Sequence, residues 1–132
     1  LMIISAIANE GVMMKPYLVD TIQTSEGTIL KKTQPESRAQ ICTSDEASTI
    51  SDLCRSVVMQ GTGAAFRNAS YEVAGKTGTA QYDSSDNAHS WFVGFAPYDN
   101  PQISICVILE GGYTKVANAQ QVAKNVLDSF FG

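Results

Sequence analysis

Apolar residues recur along this chain in two rhythms, helical and alternating, and the changes between them mark its elements. Ile3, Ile4, Ile7 and Ala8 fall at helical spacing before Asn9-Glu10-Gly11 supplies a stop, so a helix tail opens the chain. After Pro16 the alternation in Tyr17-Leu18-Val19-Asp20-Thr21-Ile22 reads as a strand, Ser25-Glu26-Gly27 as a turn, and Thr28 to Lys32 as the returning strand of a hairpin. A polar stretch, Lys32 to Gln40, links the hairpin to a helix whose start is marked by Thr43 and, three residues on, Glu46, the spacing of a capping box. Ile50, Leu53, Cys54, Val57 and Val58 place an apolar stripe on that helix, and Gly61-Thr62-Gly63 ends it.

The second half changes period. Val73 to Gln81, Trp91 to Ala96 and Ile103 to Leu109 are three strand candidates, punctuated by Asp83 to Asn87 and by Pro97-Tyr98-Asp99-Asn100-Pro101. Such short connections predict an antiparallel meander. Ile103 to Leu109 is apolar at nearly every position, which predicts a strand covered on both faces, near the sheet centre. From Asn118 to Phe131, Val122, Val126 and Phe130 recur every four residues beside Ala119, Ala123 and Leu127, predicting an amphipathic helix that covers one sheet face.

At 132 residues with 44% hydrophobic and 17% charged, the chain supports one globular domain or part of one. Nine basic residues, unclustered, against thirteen acidic ones speak against a nucleic-acid partner. No apolar run approaches the roughly 20 residues that span a bilayer, and Leu1-Met2-Ile3-Ile4 lacks the basic flank and cleavage site of a signal peptide. The opening within an apolar helical pattern is that of a segment cut from a longer protein. Cys42, Cys54 and Cys106 have neither zinc-site spacing nor an even count, and are read as buried free thiols.

Chemistry concentrates in Val73-Ala74-Gly75-Lys76-Thr77-Gly78-Thr79-Ala80-Gln81. Glycine weakens strands and marks a close approach by a ligand or another backbone. The pleat puts Thr77 and Thr79 on one face, where two hydroxyls can hold a carboxylate, with Lys76 as a cation beside them. Gly78 leaves room for an extended peptide, and the Thr79 N–H is placed to meet a developing oxyanion. Taken alone, the segment fits more readily a turn-flanked strand with a solvated lysine. His89, the only histidine, is read as a surface residue at a loop-to-strand junction. Of Trp91 and Phe92, at least one ring is expected in the core.

Context decides between these readings. Lys76-Thr77-Gly78 is one of the signature motifs of penicillin-binding proteins and serine β-lactamases, and Gly75 to Gln81 resembles the longer form found in class B penicillin-binding proteins. His89-Ser90-Trp91-Phe92-Val93-Gly94-Phe95-Ala96-Pro97 is similar to that family's next strand, Ala6 to Pro16 to its helix end and turn before the hairpin, and Gly61-Thr62-Gly63 to its helix terminator. The resemblance implies the C-terminal part, residues 1–132, of an α/β transpeptidase domain, an antiparallel sheet flanked by helices. It implies a serine acyl-enzyme D,D-transpeptidase acting on peptidoglycan stem peptides and trapped by β-lactams, exported and membrane-anchored, with no metal or other cofactor. It assigns Lys76 to catalysis and Thr77, Gly78 and Thr79 to substrate binding.

Two motifs depart from the family pattern. No lysine here has a serine three residues before it, so the nucleophile is expected outside this chain, which alone should be inactive. Ser85-Asp86-Asn87 follows the Lys-Thr-Gly strand where the family's Ser-x-Asn precedes it, and is read as a loop coincidence. The remainder of the domain is thus an expected partner, and its absence predicts self-association through an unpaired strand edge. A class D-like β-lactamase, a β-lactam sensor and a non-catalytic peptide-binding module of the same fold stay open as alternatives.

Overall fold

The structure, a computed structural model, describes residues 1–82, 87–111 and 118–132. Helix α1 (Met2–Ala8) stops because Glu10 and Gly11 turn left-handed, at φ 53° and 83°, while the Gly11 N–H donates to the Ala6 carbonyl at 2.8 Å. A Cβ on Gly11 would stand 2.2 Å from the Cys42 carbonyl oxygen, so position 11 needs glycine for space as well as for backbone angle. Strand β1 (Val12–Met14) follows at once and pairs antiparallel with β4 (Ser37–Gln40). The stretch expected to be a polar link therefore contains a strand, too short and polar to show any alternation.

Between them stands the hairpin of β2 (Thr21–Gln23) and β3 (Ile29–Lys32), with Thr21 opposite Lys32 and Gly27 left-handed in the turn. Its first strand starts at Thr21 and not at Tyr17: Thr33 closes the pairing with hydrogen bonds to the Asp20 and Val19 carbonyls, and Leu18 beyond is fully exposed. The capping box of α2 (Ser44–Gln60) forms as expected. Thr43 Oγ1 accepts from the Glu46 N–H at 3.2 Å, and Glu46 Oε2 accepts from the Thr43 N–H at 2.8 Å. That bond holds the Glu46 carboxyl below the ordinary carboxylate range.

The main sheet is the antiparallel meander β5 (Ala74–Gln81), β6 (Ala88–Ala96) and β7 (Ile103–Leu109), in the order β5-β6-β7. One face carries Val73, Phe92, Ala96 and Ile105 against Val58, Phe66 and helix α3 (Ala119–Phe131), and the other carries Ala74 and Phe95 against Ile4 and Ile7 of α1. Phe66 packs on Phe92 with ring centroids 4.8 Å apart. The central strand is β6, which buries Phe92, Phe95 and Ala96 completely. This corrects the expectation for Ile103 to Leu109: β7 has one strand neighbour among the described residues, buries only Ile105, and leaves Ile108 41% exposed.

Helix α3 also differs in which row it buries. Ala119, Ala123 and Leu127 are inside while Val122, Val126 and Phe130 face outward, because the two alanines let the helix backbone lie close to the sheet. Its first N–H groups are met by Asn118 Oδ1, which accepts from Gln121, and by the buried Ser90 Oγ, which accepts from Ala119 at 3.0 Å. All three cysteines are free and half-buried, and burial pushes the Cys54 thiol up from its ordinary value. No helix among the described residues is long and apolar enough to cross a membrane.

Candidate functional site

The Lys76 to Thr79 segment lies in β5, on the edge of the main sheet that faces away from β6. In an antiparallel ladder, N–H and C=O groups point alternately towards the partner strand and away from it. The phase here follows from the ladder's ends: Glu72 accepts from the Tyr98 N–H at 2.9 Å and the Tyr82 N–H donates to Asn87 at 3.2 Å, so even-numbered residues face β6. Gly75, Thr77 and Thr79 therefore turn their backbone groups to the free edge. Two side-chain contacts agree with this phase. Arg55 Nη1 reaches the Val73 carbonyl at 3.3 Å, and Lys76 Nζ donates to the Thr77 carbonyl at 2.6 Å.

Side chains alternate across the same pleat. Thr77 and Thr79 lie opposite Phe92 and Ser90 on the α3 face, whereas Lys76 lies opposite Val93 on the α1 face. The cation thus does not start beside the two hydroxyls. It comes to the edge by folding its stem around the strand onto the Thr77 carbonyl, and its ammonium is exposed there. Lys76 also faces Cys54 of α2, where its charge works against the rise that burial imposes on that thiol.

The glycines of β5 have separate tasks. A Cβ on Gly75 would meet the Phe92 ring at 2.5 Å, so this glycine makes room for core packing and not for a ligand. On Gly78 it would meet the Cβ of Trp91, its cross-strand partner, at 3.2 Å, and Trp91 is 36% exposed. Phe92 is the buried ring of the pair, as expected of one of the two.

Helix α2 is held alongside this edge by a polar clamp. Arg55 pairs with Glu72 at 2.8 Å and lies over the Tyr98 ring, and the Tyr98 hydroxyl donates to Asp52, which pushes the phenol up from its ordinary value. At the helix end, the Gly61 and Gly63 N–H groups both donate to the Val57 carbonyl, at 3.0 and 3.1 Å. Added Cβ atoms would approach the Val57 oxygen to 2.9 Å at Gly61 and the Val58 Cα to 3.0 Å at Gly63, so the turn has no room for a side chain at the first position and little at the second. Between them Thr62 puts its hydroxyl oxygen 2.5 Å from that of Thr77. The only sequence signal for that contact is the Gly-Thr-Gly spacing, which by itself indicates no more than a helix terminator.

His89 stands apart from these groups. It is half-buried and not on the surface as expected, stacked on Tyr82 at 4.5 Å, with Nδ1 accepting from the Gly111 N–H at 3.1 Å. With Nδ1 taken up as an acceptor, Nε2 is the ring nitrogen left to donate. Ser85 and Asp86 lie outside the described residues. Among the described residues no cluster of His, Cys, Asp or Glu could hold a metal ion.

With this geometry in place, comparison with known proteins gives a consistent result. The penicillin binding protein transpeptidase domain model matches residues 1–128. The chain belongs to that family. It is 32% identical over 113 residues to the peptidoglycan D,D-transpeptidase PbpA of Mycolicibacterium smegmatis, covering 82% of this chain and 22% of that protein. It is also 32% identical to penicillin-binding protein 2A of Bacillus subtilis, covering 97% of this chain and 21% of that protein. The chain therefore spans about a fifth of the length of these relatives. Among solved structures, the D,D-transpeptidase domain of a peptidoglycan glycosyltransferase from Eggerthella lenta superposes with a TM-score of 0.84 at 36% identity, over 97% of this chain and 31% of that one. The imipenem acyl-enzyme complex of penicillin-binding protein A from M. tuberculosis, at 24% identity, shares the fold with a TM-score of 0.87 over 99% and 29%.

Proposed function

We propose that this chain is the substrate- and penicillin-binding C-terminal part of a peptidoglycan D,D-transpeptidase that works through a serine acyl-enzyme. The observation that carries the reading is the edge of β5, which no strand among the described residues covers, with the Lys76 ammonium on the Thr77 carbonyl there and the Thr77 hydroxyl and outward Thr79 N–H on the same short segment. A stem peptide adds to this edge as an extended strand. The serine, supplied by the rest of the protein, attacks the carbonyl before a terminal D-alanine, which leaves with the serine's proton; an amine from a neighbouring stem then attacks the resulting ester, forming the new amide as the serine oxygen departs with the amine's proton. Thr77 and Thr79 hold the terminal carboxylate through their hydroxyls. Lys76 supports that carboxylate and the proton transfer electrostatically, and the Thr79 N–H helps to hold the oxyanion. In a β-lactam the cleaved ring nitrogen stays tethered to the acyl group, so the adduct persists.

The names of the relatives support this chemistry, whose substrate lies outside the cytoplasmic membrane, and the reading extends to an exported parent protein anchored in that membrane. The test is intact-mass analysis after incubation with penicillin. The full-length protein should gain one penicillin mass while this chain alone gains none. An unmodified full-length protein would leave a non-catalytic peptide-binding module as the better description, and an adduct on the isolated chain would place the nucleophile within it.

A further inference from the structure

We infer that Thr62, at the apex of the turn after α2, is a positioning residue that aims the Thr77 hydroxyl at the substrate carboxylate. The inference rests on the reading of β5 as the carboxylate-binding strand and names a residue outside that strand. Its basis is the 2.5 Å contact between the two hydroxyl oxygens, made across fifteen residues of sequence. Thr62 is exposed, so water could satisfy its hydroxyl and burial does not force the contact. The turn that carries it is tight, with the neighbouring N–H groups tied to the Val57 carbonyl, no space for a side chain at Gly61 and little at Gly63.

Proton accounting gives the contact a direction. Each hydroxyl has one proton to donate, and an ionised carboxylate can only accept. If Thr77 gives its proton to the carboxylate, the bond between the threonines must run from Thr62 to Thr77. Thr62 then fills a lone pair of Thr77, leaves the Thr77 proton directed outward, and polarises it, since hydrogen bonds in a chain strengthen one another. Thr62 acts through Thr77 and needs no contact with the substrate.

The test uses the full-length protein and two probes, a penicillin with its free carboxylate and the methyl ester of the same penicillin. The readout is the ratio of their second-order acylation rates, which isolates recognition of the anion. Thr62→Val should lower this ratio roughly 3- to 10-fold, the worth of one neutral hydrogen bond, and Thr62→Ser should restore it. In a Thr77→Val background, Thr62→Val should have no further effect. If Thr77→Val collapses the ratio while Thr62→Val leaves it at the wild-type value, the inference fails and the carboxylate site stands. If Thr62→Val slows acid and ester equally, its role is only structural and the inference fails likewise. A wild-type ratio in Thr77→Val would instead remove the carboxylate reading of β5 itself.

Discussion

A single cation governs the chemistry proposed for β5, and its position sets a sharp comparison with the other lysines. Lys76 reaches the free edge by folding around the strand, whereas Lys15 pairs with Glu36 at 3.0 Å and Lys124 with Asp128 at 2.6 Å, both away from that edge. Lys76→Ala in the full-length protein should therefore lower the penicillin acylation rate by about 100-fold or more, the scale seen when a preorganised donor to developing charge is removed. Lys15→Ala should leave it unchanged. Equal rates for wild type and Lys76→Ala in stopped-flow acylation would remove Lys76 from the mechanism. A second residue-scale expectation concerns acid stability. Asp128 is held below its ordinary value of 3.8 by Lys124 first and then by the Tyr71 hydroxyl at 2.6 Å. A carboxyl lowered on folding adds stability above its unfolded pKa and loses it as pH falls through the folded one. Denaturation midpoints should thus fall on acidification below about pH 4, and Asp128→Asn should flatten that limb; an unchanged limb would show that the pair contributes nothing. At this scale Lys76 to Thr79 was legible because the motif is contiguous. Thr62 was not, since a contact across fifteen residues depends on where a turn is carried by the fold.

Elements whose start and stop lie in local chemistry formed where the pattern put them. The capping box at Thr43 and Glu46 is one such case, and its energetic weight can be tested: Thr43→Ala removes the acceptor for the Glu46 N–H and should cost about 1 kcal/mol in urea unfolding. Thr43→Ser keeps the oxygen and should cost much less; equal losses for the two would point to methyl packing in place of the cap. The meander β5-β6-β7 and helix α3 were legible for the same reason, a sustained period between clear breaks. What escaped was set by partners distant in sequence. Strands β1 and β4 find each other across some 25 residues through backbone pairing, the Lys15–Glu36 ion pair and a bond from Gln40 Nε2 to the Glu10 carbonyl, with Gln40 and not an apolar residue opposite Val12. The apolar run of β7 signalled burial on both faces, but burial needs covering elements, and those present cover the α3 face better than the other. The same holds for α2, where Ile50 and Leu53 belong to the expected stripe and remain 37% and 63% exposed.

Taken as a whole, the molecule leaves several apolar surfaces unpartnered by the described residues. Among the described residues the outer edge of β7 has no strand beside it, and Val122, Val126 and Phe130 form an exposed row on α3 above Ile103. Leu1, just before α1, and Ile3 within it are 62% and 69% exposed. An open strand edge offers N–H and C=O groups to any second chain, and an adjacent apolar row adds area that association removes from water. In a longer protein, other parts of the domain would take these places; in the isolated chain a second copy should do so. Light scattering at micromolar concentration is expected to give a mass above that of one 14.2 kDa chain. Two variants locate the contact. Ile108→Lys puts a charge on the β7 edge and Val126→Lys puts one on the α3 row, both at exposed positions where folding should tolerate them. Each should shift the mass towards the monomer, with circular dichroism unchanged. A wild-type chain that is monomeric and unfolds cooperatively would show that this edge closes without a partner. An oligomer unmoved by either charge would place the contact elsewhere, with the exposed residues of α1 the next surface to change.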